Sequence, residues 1–503
     1  MNPHFRREGI EYPRPSFPFE VYARFDHVEA SANSQNVMLA FDLVDKAWLD
    51  GQGQSDPLFH PDSARSRKAW DDWKRKGLWS TRNPFDSMPM YRLELELPAT
   101  QGFFGESAFN TQKAFSMRSA AGELERKWFE LCISSHHQRD SEPASLYPGL
   151  FAAPLTVFVQ GKMPSRQRGE ALSAIFSLDH LPSISTADLE AELAGKSADL
   201  LAVYDVGQGN ANALLSTVKY GAPGVPTLYY DLGAGVYRNR RTTPKSLVFC
   251  FSEKPTILLS HWDADHWGGA YASMIKSAYP ALKRKWIAPH QPVGPVHIAF
   301  AHDVLANGGT FFTYSIKADV GSIPLAQGRN ARFTLGDGPD RNGTGLVLTV
   351  EEPDHAPRRC WLLTGDCDYL YFDSKLNPYP PVGLVAPHHG ADLDPASVVP
   401  KPPDNVIYKR LAYSFGRDNR HGQNNVQHPT SKGMSAHNSA DWDHQYWDPL
   451  NPGEPSPGGD VLATCEHTPG NFRGGALIGW DAQPAIANAP CQGKNCGVPL
   501  TQS

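Results

Sequence analysis

The chain reads as a mixed α/β protein with a β-rich N-terminal part, on three observations. From about residue 199 onward, short apolar runs repeatedly end on polar residues: "TLYYDLGAG", "PTILLSHWDADHWGG", "RCWLLTGDCD" and "VGLVAPHHGAD". Strands that deliver chemistry at their C-terminal mouths are characteristic of layered α/β folds. Before that point, "YRLELELP" (Tyr91 to Pro98) alternates as a half-buried strand does, and "FEVYARF" and "LTVFVQG" are strand-like as well. Hydrophobic residues make up 40% of the chain and charged ones 20%, enough apolar matter for a real core.

A length of 503 residues exceeds one ordinary domain. The expected division is an N-terminal β-rich domain over 1–195, a catalytic-looking domain over 196–481 and a flexible tail over 482–503. The boundary is placed between Ser185 and Leu201, where "STADLEAELAGKSA" reads as a capped helix ending in glycine. In the N-terminal part, "SRKAWDDWKRKGLW" mixes Trp70, Trp73 and Trp79 with basic residues. An amphipathic helix that buries its tryptophans is favoured over a platform that stacks nucleic acid.

No apolar stretch approaches the roughly 18 residues needed to cross a bilayer, and "MNPHFRREGIEYPRP" lacks a signal-peptide core. A cytoplasmic address is expected. Seven scattered cysteines form no C-x-x-C pair and suggest no disulfide framework; Cys491 and Cys496, in the tail, are expected to be dispensable for metal binding. The net charge of −6 lacks the basic surplus of a nonspecific nucleic-acid binder. Contact with nucleic acid would rest on local patches such as "RNRR" (Arg238 to Arg241) and "KRK" (Lys283 to Lys285).

The densest chemistry lies in "LLSHWDADHWGGA". His261, Asp263, Asp265 and His266 follow an apolar run and mix imidazole with carboxylate, without cysteine. That donor set suits Zn, Mn or Fe rather than a structural thiolate site. In a loop leaving a strand the four can converge on a point that two divalent ions could share, and Gly268 and Gly269 let a helix start close by.

The H-x-D-x-D-H-x-G-G pattern resembles the metallo-β-lactamase fold, and specifically the soluble hydrolase domain of ComEC-type DNA-uptake competence proteins. Other segments agree in order: "YDVGQGNANALL" with that family's opening strand-turn-strand, "YYDLGAG" with its D-x-G loop, "LLTGD" with its fourth motif, "APHHG" with its P-H-H-G, and "SFGRDNRHGQNNVQHP" with its late segment. The resemblance covers about Asp199 to Asp481 and leaves the first 195 or so residues outside. It implies a four-layer αββα sandwich holding one or two divalent ions, Zn or Mn. His261, Asp263, Asp265 and His266 would be metal ligands, Asp366 a bridging carboxylate and His388 the closing ligand. His389 is the rival to His388 and is otherwise expected to face substrate. His428 would protonate the leaving oxygen, with His421 and Asn342 as substrate contacts.

Three departures stand out: Asp263 replaces a histidine, Asn342 or Thr344 falls where a third-motif histidine would be, and Asn210 replaces an aspartate in the opening turn. Cys367, beside Asp366, is expected to pack behind its strand rather than bind metal. The implied function is a phosphodiesterase or nuclease acting on DNA or another nucleotide, through water that a divalent ion activates and Asp265 and Asp366 orient. Hydrolysis of a lactone or thioester is the alternative within the enzyme class, and a metal-poor module that binds a nucleotide or partner without turnover is the alternative outside it. A protein partner could dock on the N-terminal domain.

Overall fold

The alternation in the N-terminal part folds into a closed barrel of β1 (Phe19–Ala30), β2 (Asn36–Asp45), β3 (Met90–Pro98), β4 (Trp128–Ser134), β5 (Glu142–Tyr147) and β6 (Leu155–Lys162), in the order β1-β2-β3-β5-β6-β4. All pairings are antiparallel. The structure is a computed structural model that describes residues 1–484 apart from 8–11, 13–14, 31–35, 79–81, 108–113, 218–223, 246, 275–277, 316–320, 422–425, 446, 448–458 and 467–474. Leu93, Leu95 and Leu97 of β3 join Phe41, Phe129 and Val157 in the core of the barrel, and closure removes the exposed strand edges. The other face of β3, expected to be wet, is buried: Arg92 is 5% exposed and Glu94 9%. Tyr237 and the helix Pro295–Ala306 cover that side.

Two seven-stranded sheets follow. The first contains β7 (Leu200–Tyr204), β8 (Ala211–Ser216), β9 (Val225–Leu232), β10 (Thr256–Leu258), β11 (Lys285–Pro289) and β12 (Thr310–Tyr314), in the order β12-β11-β10-β9-β8-β7, with the last strand, β20 (Gly475–Ile478), beyond β7. The second runs in chain order: β13 (Ile323–Pro324), β14 (Asn330–Leu335), β15 (Leu346–Glu352), β16 (Arg359–Leu363), β17 (Pro381–Val385), β18 (Arg410–Tyr413) and β19 (Val461–Ala463). Each sheet is antiparallel in one half and parallel in the other, β9 to β12 in the first and β16 to β19 in the second. The fold is therefore mixed α/β.

Leu228, Tyr230 and Leu258 from the first sheet meet Phe333, Leu348 and Leu363 from the second in one core, while Leu362, Leu384 and Leu411 pack on the far side of the second sheet. Strands buried on both faces explain the near-continuous apolar runs that precede each polar cluster. Ile184, Leu189 and Leu193 enter the inter-sheet core, Ile184 N donates to Thr313 O at 3.0 Å, and Gly195 N donates to Pro324 O at 2.9 Å. The segment expected to mark the domain boundary is thus clamped to both sheets.

The outer face of the first sheet shares a core with the N-terminal part. Trp286, Phe300 and Trp267 lie in one cluster with Phe5, Trp70 and Phe85. Trp70 and Trp73 sit on the helix Ser63–Arg75, 1% and 6% exposed, so they are core residues and not a stacking platform; Trp79 lies outside the described residues. The helix Pro295–Ala306 is buried from Pro295 to Leu305, as a helix wedged between two layers must be. Five free cysteines occur among the described residues, Cys491 and Cys496 lie outside them, and no helix among the described residues is long and apolar enough to cross a membrane.

A shared core couples the two parts on unfolding. Urea titrations followed by tryptophan fluorescence and by far-ultraviolet circular dichroism should give one coincident transition. Trp70→Ala should lower the midpoint in both probes together, by about 3–5 kcal/mol of stability. Two separated transitions would show the parts to be independent.

Candidate metal centre

The polar residues converge because parallel strands end side by side. Asp231 closes β9, the His261–His266 loop leaves β10, Asp366 follows β16, His388 and His389 follow β17, and Ser414 follows β18. Such strand ends leave a crevice where side chains from several loops can meet. The approach is close enough that a Cβ at Gly233 would lie 1.8 Å from Asp265 O, so only glycine fits beside this loop.

Asp231 sets the orientation of the centre. It is fully buried and accepts Ser260 N at 2.6 Å, Ser260 Oγ at 2.8 Å, His266 Nδ1 at 2.8 Å and Asn210 Nδ2 at 3.2 Å. With its hydroxyl hydrogen given to Asp231, Ser260 Oγ can only accept from His261 Nδ1, 3.0 Å away. His389 Nδ1 likewise donates to Ser414 O at 2.7 Å. A neutral imidazole that donates through one nitrogen presents a lone pair on the other. In their neutral forms the three rings therefore turn an acceptor Nε2 toward the centre.

They face carboxylates. His266 Nε2 lies 3.1 Å from Asp366 Oδ1, His261 Nε2 lies 3.7 Å from Asp366 Oδ2, and His389 Nε2 lies 3.2 Å from Asp265 Oδ2. His261 Nε2, His266 Nε2 and Asp366 Oδ1 are buried with no hydrogen-bond partner among the described residues. Buried acceptors facing acceptors are strongly unfavourable unless positive charge lies between them. The groups His261–His266–Asp366 and Asp265–His266–His389 each bring three donor atoms within 4.8 Å of one another, positioned to hold a metal ion. The electrostatics agree. Burial would raise the Asp366 carboxyl, but His266, His388 and His261 outweigh it and hold it well below the usual carboxylate range. Burial would lower His266, but Asp366 and Asp231 raise it well above the ordinary imidazole value. A proton or a metal cation satisfies the same demand.

Not every expected ligand joins these groups. Asp263 instead pairs with Arg341, whose Nε donates to Asp263 Oδ1 at 2.8 Å; burial opposes the ionised carboxylate, and Arg341 and His261 outweigh it. His389 joins one of these groups, because its bond to Ser414 O aims Nε2 at Asp265, while His388 lies as far from Asp366 Oδ2 as His261 does. His388 and His389 both adopt left-handed backbone, φ 47° and 56°, a strained pair of conformations that sends the adjacent side chains to different partners. His388 Nε2 lies 3.7 Å from Asp366 Oδ2 and 3.9 Å from Glu29 Oε2, and burial pushes His388 down to about 4. His428, fixed by Asn419 through bonds of 2.9 Å and 2.6 Å to its main chain, places Nε2 3.7 Å from Glu29 Oε1 and stacks on His421 at 4.3 Å. Asn342 stays in the turn after β14, where its carbonyl accepts Gly345 N. Cys367 is buried in the apolar cluster behind the second sheet, with Sγ 3.6 Å from Gly343 O. Asn210 supports Asp231 with an amide N–H that an aspartate could not supply.

The sequence reading missed Arg341, Glu29 and the role of Asp231. Asp231 had a signal, a buried-strand aspartate before glycine. Glu29 and Arg341 had none, since each acts across more than 200 positions of chain or from a turn with no pattern of its own. Glu29 comes from β1 of the barrel; burial opposes its ionisation, yet His428, His388 and His421 draw it far below the usual range. Beside the centre, Asp265 opens on a cleft of about 60 Å3, also bordered by His27, Arg238, Arg420 and His421. At 10–15 Å3 per water that is room for about four to six waters, the scale of a phosphate group. Arg238 and Arg420 have no carboxylate partner among the described residues, whereas Lys285 of the other basic patch is paired with Glu192.

Because Asp231 fixes His266 and, through Ser260, His261, Asp231→Asn should weaken binding of a divalent ion by about 10- to 100-fold, read by competition with a chromogenic chelator. Unchanged affinity would show that the imidazoles need no such support. No protein-family model matches this chain, and no curated protein does, so the assignment of chemistry rests on this geometry.

Proposed function

We propose that the chain is a metal-dependent phosphodiesterase acting on DNA or another nucleotide, with the two sheets as the inner layers of a four-layer metallo-β-lactamase sandwich. The observation that carries this reading is the convergence of His261, His266, His389, Asp265 and Asp366 in two groups spaced to hold an ion, with His261 Nε2, His266 Nε2 and Asp366 Oδ1 buried and without a hydrogen-bond partner among the described residues. These five residues would hold the ion. Their nitrogen and carboxylate donors, with Cys367 turned away, favour Zn or Mn. When bound, such an ion supplies Lewis acidity, drawing density from an oxygen and making water a nucleophile near neutral pH.

The remaining roles belong to the chain. Arg238 and Arg420, at the border of the cleft that reaches Asp265, draw in an anionic phosphate and orient it. His428 is buried, and neither ring nitrogen has a hydrogen-bond partner among the described residues, so it is free to pass a proton to the leaving oxygen. Glu29 Oε1 of the barrel faces His428 Nε2 from 3.7 Å. A phosphate-sized cleft flanked by unpaired guanidinium groups favours a phosphodiester over a lactone or thioester.

Asp265→Asn and Asp366→Asn should each abolish hydrolysis of bis(p-nitrophenyl) phosphate and of single-stranded DNA in Mn or Zn, with little change in melting temperature, because the amide keeps the shape but not the charge. Arg238→Ala should raise KM by about tenfold and leave kcat nearly unchanged, as loss of one charge-assisted contact predicts. Full activity in both Asn variants, or no turnover by the wild-type chain with any divalent ion, would reject the hydrolase reading.

A further inference from the structure

The two ligand groups share a single atom. His266 Nδ1 is committed to Asp231, so Nε2 alone must serve both the His261–His266–Asp366 group and the Asp265–His266–His389 group. One imidazole nitrogen carries one lone pair and binds one ion. A second ion would have to draw on His261 and on Asp366 Oδ2, which lies 3.7 Å from both His261 Nε2 and His388 Nε2, and be completed by Asp263, the carboxylate that the H-x-D-x-D-H pattern offers there.

That carboxylate already holds a cation. Arg341 is 2% exposed and reaches Asp263 Oδ1 with Nε at 2.8 Å and Nη2 at 2.7 Å. The same Nη2 donates to Asp26 O of the barrel at 2.7 Å and pairs with the Asp26 carboxylate. The main chain of Arg341 is pinned as well: its N–H donates to Glu125 Oε1 at 3.0 Å, and its carbonyl accepts Gln291 Nε2 at 2.6 Å. A guanidinium stays charged at any physiological pH, has no lone pair to offer a metal, and cannot make room by losing a proton. Asp263 Oδ2, the oxygen left over, lies 3.5 Å from His261 Nε2.

We infer that this centre binds one divalent ion, and that the Arg341 guanidinium is a built-in positive charge standing where a second ion would otherwise sit. The inference rests on the metal centre proposed above and deepens it: Asp263 is an anchor for Arg341, not a ligand, and the barrel, through Asp26, helps set how many ions the centre takes.

Metal counting on the full-length protein tests this without an activity assay. Elemental analysis and native mass spectrometry after titration with Zn, and separately with Mn, should give one ion per chain even in excess metal. Asp263→Asn should keep that one ion with unchanged affinity. A folded Arg341→Gln chain, checked by circular dichroism, should take up a second ion. Two ions in the wild type, loss of the ion in Asp263→Asn, or a single ion in folded Arg341→Gln would each overturn the inference while leaving the metal centre standing. If Arg341→Gln does not fold, the wild-type count and Asp263→Asn decide. No ion bound to the wild type under any condition would instead overturn the metal centre itself.

Discussion

The carboxylate of Asp231 accepts from the main chain and hydroxyl of Ser260, from His266 Nδ1 and from Asn210, and the character of the centre follows from that saturation. Once those donors are spent inward, neutral His261 and His266 can present only lone pairs outward. The carboxylate of Asp366 then faces nitrogens that need a proton or a metal cation between them and it. A site that cannot satisfy itself with hydrogen bonds must be satisfied by charge, and burial magnifies the demand because little solvent is at hand to screen it.

A second electrostatic structure lies beneath the first, where the barrel meets the sheets. Asp26 is shared by Arg92 and Arg341, and His297 lies 3.5 Å from Asp26 and 3.3 Å from Asp42. Asp26, Asp42 and His297 could by distance alone hold an ion, but two guanidinium groups already supply the positive charge there. Burial and the neighbouring Asp26 push the Asp42 carboxyl well above its usual value, and burial takes His297 down to about 3, whereas Asp26, despite its burial, is held well below the usual carboxylate range by its pairing with Arg341 and Arg92. Removing one partner from a buried set of this kind costs about 3–5 kcal/mol, because a charge is left without a counterpart. The barrel is thereby an integral wall of the centre: β1 supplies Asp26 to Arg341 and Glu29 to His388 and His428.

Much of this was legible in the sequence for a local reason. Apolar runs bounded by Asp231, His261, Asp366 and His388 mark strands whose ends carry chemistry, since period and burial act within a few residues. The same locality made "YRLELELP" readable as a strand and "SRKAWDDWKRKGLW" as a helix with buried tryptophans. What each imidazole of "PHHG" meets was not legible: two neighbouring left-handed residues differ only in their partners, His388 facing Asp366 and Glu29, and His389 held by Ser414 against Asp265.

The sequence by itself determined the donor types, their spacing and the strands that present them, because those depend on neighbours in the chain. Only the tertiary structure decided that Arg92 and Glu94 on the polar face of β3 would be buried, that Asp263 would hold Arg341, and that Glu29 would face His428. Each of those outcomes joins residues from 53 to 399 positions apart in pairs such as Glu94 with Tyr147 and Glu29 with His428, and no local pattern encodes the partner of a charge buried at such range. The partner is chosen when the barrel docks on the sheets and every ion in the seam must find a counter-charge or lose its own.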